Sequence, residues 1–155
     1  MVPSEICSIV STYDEYMKKI ALVTSPYPHG IVASFLGIGE IASKEVFERA
    51  CQNPMPDIIK VVSTIIRLMN DIGGQKRKHA ASAVQCLMEK HGLSEEEANE
   101  KLKEEIEDAW KIINQAMLQP YVIPKPILTR ILNLARSANV STKVMMMVTH
   151  MLTKL

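Results

Sequence analysis

Hydrophobic side chains recur at helical spacing through the middle of the chain. Between residues 57 and 72, nine of the sixteen residues are apolar, and Ile58, Val62 and Ile65 follow one another at intervals of three or four positions. A helix that is apolar over most of its circumference is normally buried among other helices. The pattern therefore predicts a long central helix, which begins after the proline-containing segment 53–56.

The same periodicity, interrupted by proline and glycine, predicts helices along the rest of the chain. Gly92 stops one of them, and Ser94 with Glu97 forms a capping box that starts the next. No segment alternates apolar and polar residues as a strand would, so the sequence predicts an all-α fold, an antiparallel helical bundle. The other predicted helices span residues 13–25, 31–41, 44–51, 75–91, 95–118 and 128–138.

One polar strip interrupts the apolar surface of the central helix, and it consists of Ser63, Arg67, Asn70 and Asp71. A regular helix turns Arg67 and Asn70 away from the stripe that Ile58, Val62, Ile65 and Met69 form. Buried polar groups are costly unless something pairs with them. A metal ion with a phosphate group would do so, with Asn70 as an oxygen ligand and Arg67 against the phosphate. Alternatively, Arg67 pairs with a neighbouring carboxylate and Asn70 sits at a helix end, which residue type alone favours.

The composition is that of one globular domain with little net charge. The chain has 155 residues, 47% of them hydrophobic and 23% charged, with a formal net charge of +1. This balance argues against a nucleic-acid-binding or membrane-binding protein, since only the tail at 144–154 offers a weak amphipathic stretch. Cys7, Cys51 and Cys86 are widely spaced, and the chain starts without a signal peptide. Reduced thiols and a cytoplasmic location are therefore expected.

The segment 67–72 resembles the second metal-binding motif of plant class I terpene synthases. That motif runs Asn or Asp, Asp, two residues, Ser or Thr, three residues and Glu, and its first, fifth and ninth positions ligate magnesium. The resemblance implies that Asn70 is a metal ligand. In the family, an Arg three positions before the first ligand contacts the substrate diphosphate, and Arg67 matches it.

The resemblance covers roughly residues 11–140, which we expect to be the C-terminal part of the family's catalytic, metal-binding domain. It implies a terpenoid synthase fold, Mg²⁺ or Mn²⁺ as cofactor, and a prenyl diphosphate substrate with no nucleic-acid or membrane partner. The plant sesquiterpene branch is the most similar, which implies farnesyl diphosphate and cyclisation to a sesquiterpene. It also implies that Thr24, Ser25 and Tyr27 line the substrate cavity. Matching segments occur in the family's order at 13–17, 21–25, 34–37, 44–48, 75–77, 81–86, 91–98, 109–114 and 131–136.

The chain departs from the family motif at two of the three ligand positions. Gly74 occupies the fifth position and Lys78 the ninth, and an ammonium group repels a metal cation. The family's aspartate-rich motif has no counterpart, because no Asp-Asp pair occurs anywhere in the sequence. Two hypotheses follow. The chain is a fragment of a terpene synthase, a lyase that is inactive in this isolated form, or it is a non-catalytic truncated helical protein or decayed gene product.

Both ends of the chain are out of register with the family. Three methionine codons, at 145–147, read one nucleotide earlier contain Asp-Asp followed by Gly, which resembles the family's loop at this point. Met1-Val2, read one nucleotide later, begins with the Trp that the family carries there. We therefore expect residues 1–10 and 141–155 to be frame-shifted translation.

Overall fold

The apolar segment in the middle of the sequence forms the central helix of an all-α fold. The computed structural model describes residues 13, 17, 27–52, 56–74, 82–118 and 123–152. Within these residues there is no strand, and the predicted all-α class is confirmed. The α-helices are α1 (Tyr27–Ala33), α2 (Lys44–Ala50), α3 (Asp57–Gly74), α4 (Ala83–His91), α5 (Glu95–Leu118) and α6 (Lys125–Leu152).

Helix α3 is surrounded by other helices on most of its circumference. It packs chiefly against α5 and α6, and also against α1 and α4. Its first turn forms on Pro56, whose carbonyl oxygen accepts hydrogen bonds from the amides of Ile59 and Lys60. Each fully buried aliphatic side chain contributes about 1.5–3 kcal/mol, so α3 supplies much of the core. Its fully buried apolar side chains are Ile59, Val62, Ile65 and Leu68.

Helix α5 begins and ends where the sequence predicts. The Ser94 amide donates to Glu97 Oε2 over 2.8 Å, and the Glu97 amide donates to Ser94 Oγ over 3.2 Å, which is the predicted capping box. Two hydrogen bonds to the carboxylate, the larger effect from the Ser94 amide and the smaller from the Ser94 hydroxyl, hold the pKa of the Glu97 carboxyl below its ordinary value. The predicted inward face is buried at Ala98, Leu102, Ile106, Ala109 and Ile113.

Two predicted helices have different limits in the structure. The segment 31–41 is not one helix, because α1 ends at Ala33 and Gly37 and Gly39 take positive φ angles of 87° and 77°. A 3-10 helix at Gly39–Ile41 follows. The helix predicted at 75–91 begins only at Ala83, because Ser82 is its N-cap and accepts from the Gln85 amide over 3.2 Å.

Helix α6 is longer than predicted at both ends. It spans Lys125–Leu152 instead of 128–138 and includes Pro126 in its first turn, where a missing amide costs nothing. Neither glycine nor proline occurs after Pro126, so nothing in the sequence stops the helix. Residues 141–152 continue the same helix, and their frame-shifted origin stays a prediction about the gene. Among the described residues, no helix is long and apolar enough to cross a membrane.

Candidate functional site

Arg67 is held by a carboxylate on its own helix. Arg67 Nε lies 3.0 Å from Asp71 Oδ1, one turn further along α3. The two side chains are 16% and 4% exposed, so the ion pair is largely shielded from water. A buried ion pair of this kind requires good geometry, because the desolvation of two charges offsets much of their attraction. The alternative in which Arg67 pairs with a neighbouring carboxylate therefore agrees with the geometry.

Asp71 also connects α3 to α4. Its second oxygen, Oδ2, accepts a hydrogen bond of 2.9 Å from the amide of Ala83, the first residue of α4. The first amides of a helix have no partner inside the helix, and the helix dipole favours a negative charge at that end. Asp71 thus forms an ion pair with Arg67 on its own helix and accepts a hydrogen bond from the backbone of a second helix, a connection that the sequence did not predict.

Tyr27 lies within electrostatic reach of this ion pair. The pKa of its phenol is raised above the ordinary value, mainly by burial; Arg67 acts to lower it and Asp71 to raise it. Tyr27 begins α1, which packs against α3. The structure therefore brings together Arg67 and Tyr27, which are predicted as site residues from different segments of the sequence. Thr24 and Ser25, the other predicted cavity residues, lie outside the described residues.

Asn70 is exposed in the last turn and a half of α3, four positions before Gly74 ends the helix. The helix is continuous from Asp57 to Gly74, so Asn70 projects about 60° around the axis from Arg67. The predicted stripe from Ile58 to Met69 is buried, as the predicted helix orientation requires. Both interpretations of the sequence are compatible with this placement of Asn70.

The side chains near Asn70 do not supply a magnesium site. Gly74 has no side chain, and Lys78, at the position of the third ligand, lies outside the described residues. Magnesium requires oxygen ligands, usually including one or two carboxylates. In the part of the chain that the structure describes, no group of three or more His, Cys, Asp or Glu side chains could hold a metal ion. The residues present therefore do not fit the metal that the family motif binds.

Ser63 completes the polar strip on α3, one turn before Arg67. Its side chain is fully buried, and its hydroxyl oxygen has no hydrogen-bond partner among the described residues. The sequence pattern predicts Ser63 on the polar strip and indicates no function for it.

Comparison with known proteins identifies the family. The family model described as "Terpene synthase family, metal binding domain" matches residues 6–112. The probable terpene synthase 2 of Ricinus communis is 49% identical over 131 residues, which are 82% of this chain and 23% of that protein. A probable sesquiterpene synthase of Santalum murrayanum is 44% identical over 138 residues, or 86% of this chain and 24% of that protein.

A solved structure shares the fold. The isoprene synthase from grey poplar leaves (Populus x canescens), in complex with three Mg²⁺ ions and dimethylallyl-S-thiolodiphosphate, superimposes with a TM-score of 0.72. It is 30% identical, and the match covers 84% of this chain and 25% of the isoprene synthase chain. The present chain thus spans about a quarter of the length of these relatives. From the matched residues 6–112 and the shared fold, we conclude that the chain belongs to the terpene synthase family and represents part of its metal-binding domain.

Proposed function

We propose that this chain is part of the catalytic domain of a plant sesquiterpene synthase and carries one side of its diphosphate site. The substrate of the whole protein would be farnesyl diphosphate, and the product a cyclic sesquiterpene. The observation that carries the proposal is the position of Arg67 on α3, three residues before Asn70, on a helix that packs against α1, which Tyr27 begins. The similarity to sesquiterpene synthases over 86% of this chain supports it.

Each residue has a role that suits its chemistry. Arg67 would contact the diphosphate, because a guanidinium group makes short, charge-assisted hydrogen bonds to phosphate oxygens. Asn70 would offer its amide oxygen as a metal ligand only where carboxylates from another part of a whole synthase complete the site, since the described residues of this chain do not. Thr24, Ser25 and Tyr27 would line the cavity that receives the prenyl chain, and the phenol of Tyr27 is half-buried, as a cavity wall requires.

We further propose that the 155-residue chain does not catalyse turnover by itself. Gly74 and Lys78 replace two of the three ligands in the visible motif, and no Asp-Asp pair exists to provide the other motif. The second candidate function, a non-catalytic helical protein, is favoured by this loss of donors and by the pairing of Arg67 with Asp71. A cytoplasmic location is part of the proposal, because three widely spaced cysteines suit reduced thiols better than a disulfide framework.

Inorganic pyrophosphate separates the two candidates. A ligand that binds the folded state raises its stability by about 2.7 kcal/mol at a concentration of 100 times its Kd. If Arg67 contacts diphosphate, pyrophosphate should raise the thermal unfolding midpoint of the chain, and Mg²⁺ should add no further increase. Arg67→Gln should abolish the rise, whereas Arg49→Gln, at an exposed arginine of α2, should preserve it.

The opposite results are equally informative. If pyrophosphate leaves the midpoint unchanged, the chain has no diphosphate site and the non-catalytic function stands. If the rise survives Arg67→Gln, the anion binds elsewhere and the assigned contact is wrong. If Mg²⁺ adds a further increase, the metal site is more complete than its side chains indicate.

A further inference from the structure

Asp71 is the one charged side chain that is buried among the residues that the structure describes. A carboxylate is removed from water at a cost of several kcal/mol unless its oxygens are satisfied. Each oxygen of the Asp71 carboxylate contacts a different helix. Oδ1 lies 3.0 Å from Arg67 Nε on α3, and Oδ2 accepts a hydrogen bond of 2.9 Å from the Ala83 amide on α4. An apolar side chain of similar size would fill the space without that cost, so what Asp71 contributes is its two contacts.

The two contacts act in sequence. The Ala83 amide is part of the backbone of α4, and Ala83 itself is fully buried, so it is a fixed donor. It holds the carboxylate from one side. The carboxylate in turn forms an ion pair with Arg67: its Oδ1 lies 3.0 Å from Nε, the nitrogen that joins the planar guanidinium group to the rest of the side chain.

We propose that Asp71 is a positioning residue for Arg67, and that the first turn of α4 anchors it. The proposal deepens the proposed function and rests on it in one respect, namely that Arg67 is the group that contacts diphosphate. Preorganisation of a long, flexible side chain lowers the entropy cost of binding. Asp71 therefore increases anion affinity through Arg67, although its own charge repels anions.

The charge of Asp71 should weaken anion binding, whereas its immobilisation of Arg67 should strengthen it. Because the two effects have opposite signs, a substitution at Asp71 can distinguish a positioning role from a purely structural one. Asparagine has nearly the same shape as aspartate but only one acceptor oxygen and no charge. In Asp71→Asn that oxygen can still accept from the Ala83 amide, while the ion pair with Arg67 is lost. Removal of a negative charge beside an anion site should by itself strengthen anion binding. Weaker pyrophosphate binding in Asp71→Asn would therefore mean that the Arg67 side chain is no longer held in place.

The experiment uses the full ¹⁵N-labelled chain and two readouts, the ¹H–¹⁵N nuclear Overhauser effect of the arginine Nε–H groups and pyrophosphate affinity by calorimetry. In the unsubstituted protein, Arg67 should be as rigid as the backbone, and Arg49 should be mobile. In Asp71→Asn, Arg67 should become as mobile as Arg49, and pyrophosphate should bind about tenfold more weakly. Asp108→Asn removes an exposed carboxylate that pairs with Lys111 over 2.7 Å, and it should change neither readout.

Each contrary outcome has a definite meaning. Equal or tighter pyrophosphate binding in Asp71→Asn, or an Arg67 that stays rigid there, overturns the positioning role. If Asp71→Asn does not fold, the unsubstituted protein still decides, because an Arg67 as mobile as Arg49 excludes any immobilisation by Asp71. If the unsubstituted protein does not bind pyrophosphate, the proposed function fails. The mobility of Arg67 in the unsubstituted protein and in Asp71→Asn still shows whether Asp71 immobilises it.

Discussion

The pKa of the Tyr27 phenol depends on its burial and on the charges of Arg67 and Asp71. The phenol is half-buried at the start of α1, and burial keeps its pKa above the ordinary value of about 10. Burial disfavours the phenolate, and Asp71 acts in the same direction, while Arg67 opposes them. The folded chain therefore retains the phenolic proton at pH values at which the unfolded chain has lost it.

This difference predicts a pH dependence of stability. The contribution of Tyr27 is fully present below pH 10, the ordinary phenol pKa, and is lost as the pH rises through the higher pKa of the folded state. In Tyr27→Phe, the free energy of unfolding should fall less steeply above pH 10 than in the unsubstituted protein. Urea unfolding at a series of pH values from 8 to about 11 measures both slopes. Parallel curves would show that the pKa of Tyr27 is the same in the folded and unfolded states.

The residues of the site were only partly predictable from sequence. Arg67 can be predicted as a site residue, because a charged side chain in an apolar helix needs a partner. In the structure that partner is Asp71. Asp71 could have been identified as that partner, because an Arg and an Asp four positions apart lie on adjacent turns of one helix. Its contact with Ala83 could not, because the spatial relation of α3 to α4 depends on the tertiary packing of residues 12 positions apart.

At the scale of elements, helix limits were predicted well where a local signal sets them. Helix α5 has a capping box at its start, and its predicted limits are correct. Helix α6 lacks a stop signal, and the prediction ended it too early. At 31–41 the apolar pattern continued, but Gly37 and Gly39 adopt positive φ angles that no helix contains. Periodicity thus predicts where a helix lies, and side-chain chemistry at its ends determines where it stops.

The start of α5 should depend on Ser94. Replacement of an N-cap serine by alanine costs about 1 kcal/mol, because the helix loses a hydrogen bond to one of its first amides. Ser94→Ala should lower the free energy of unfolding by this amount in urea titrations. Ser43 provides a matched control, because it is the N-cap of α2 and its hydroxyl, like that of Ser94, donates to a nearby glutamate, but it makes no capping hydrogen bond. An equal loss in Ser43→Ala would mean that the Ser94 hydroxyl contributes nothing as a cap.

The two glycines at the end of α3 should respond differently to alanine. A methyl group at Gly73 would lie 2.9 Å from Thr142 Cγ2 on α6, whereas nothing lies within 4 Å of one at Gly74. Alanine improves helix propensity by up to about 1 kcal/mol, so Gly74→Ala should stabilise the chain. At Gly73 this gain should be cancelled or reversed, because overpacking costs about 1–3 kcal/mol.

Thr142→Ser tests whether the contact with Thr142 Cγ2 causes the difference between the two glycines. Serine lacks Cγ2, so Gly73→Ala should regain stability in the Thr142→Ser background, and a double-mutant cycle measures the coupling. If Gly73→Ala and Gly74→Ala stabilise the chain equally in the original background, α6 does not approach α3 at Thr142.

At the scale of the whole molecule, the chain spans about a quarter of the length of the terpene synthases that it resembles, and Gly74 and Lys78 stand at two ligand positions of the predicted second motif. Gly74→Ser combined with Lys78→Glu would restore the ligand spacing of the second motif. We expect this double substitution to increase helicity modestly, because a glycine is removed from a helix. Turnover should remain undetectable, since the chain would still have no Asp-Asp motif. Circular dichroism and a product assay measure the two effects, and product formation by the double variant would show that these two ligands suffice.

The central claim is that this chain has the terpene synthase fold and an arginine, Arg67, that would contact diphosphate, but that the isolated chain does not catalyse turnover. The most direct test is to incubate the purified 155-residue protein with farnesyl diphosphate and Mg²⁺ and to analyse the volatile products by gas chromatography. We predict no terpene above the level of a heat-inactivated control. A sesquiterpene that forms in proportion to the concentration of the folded protein would contradict the account.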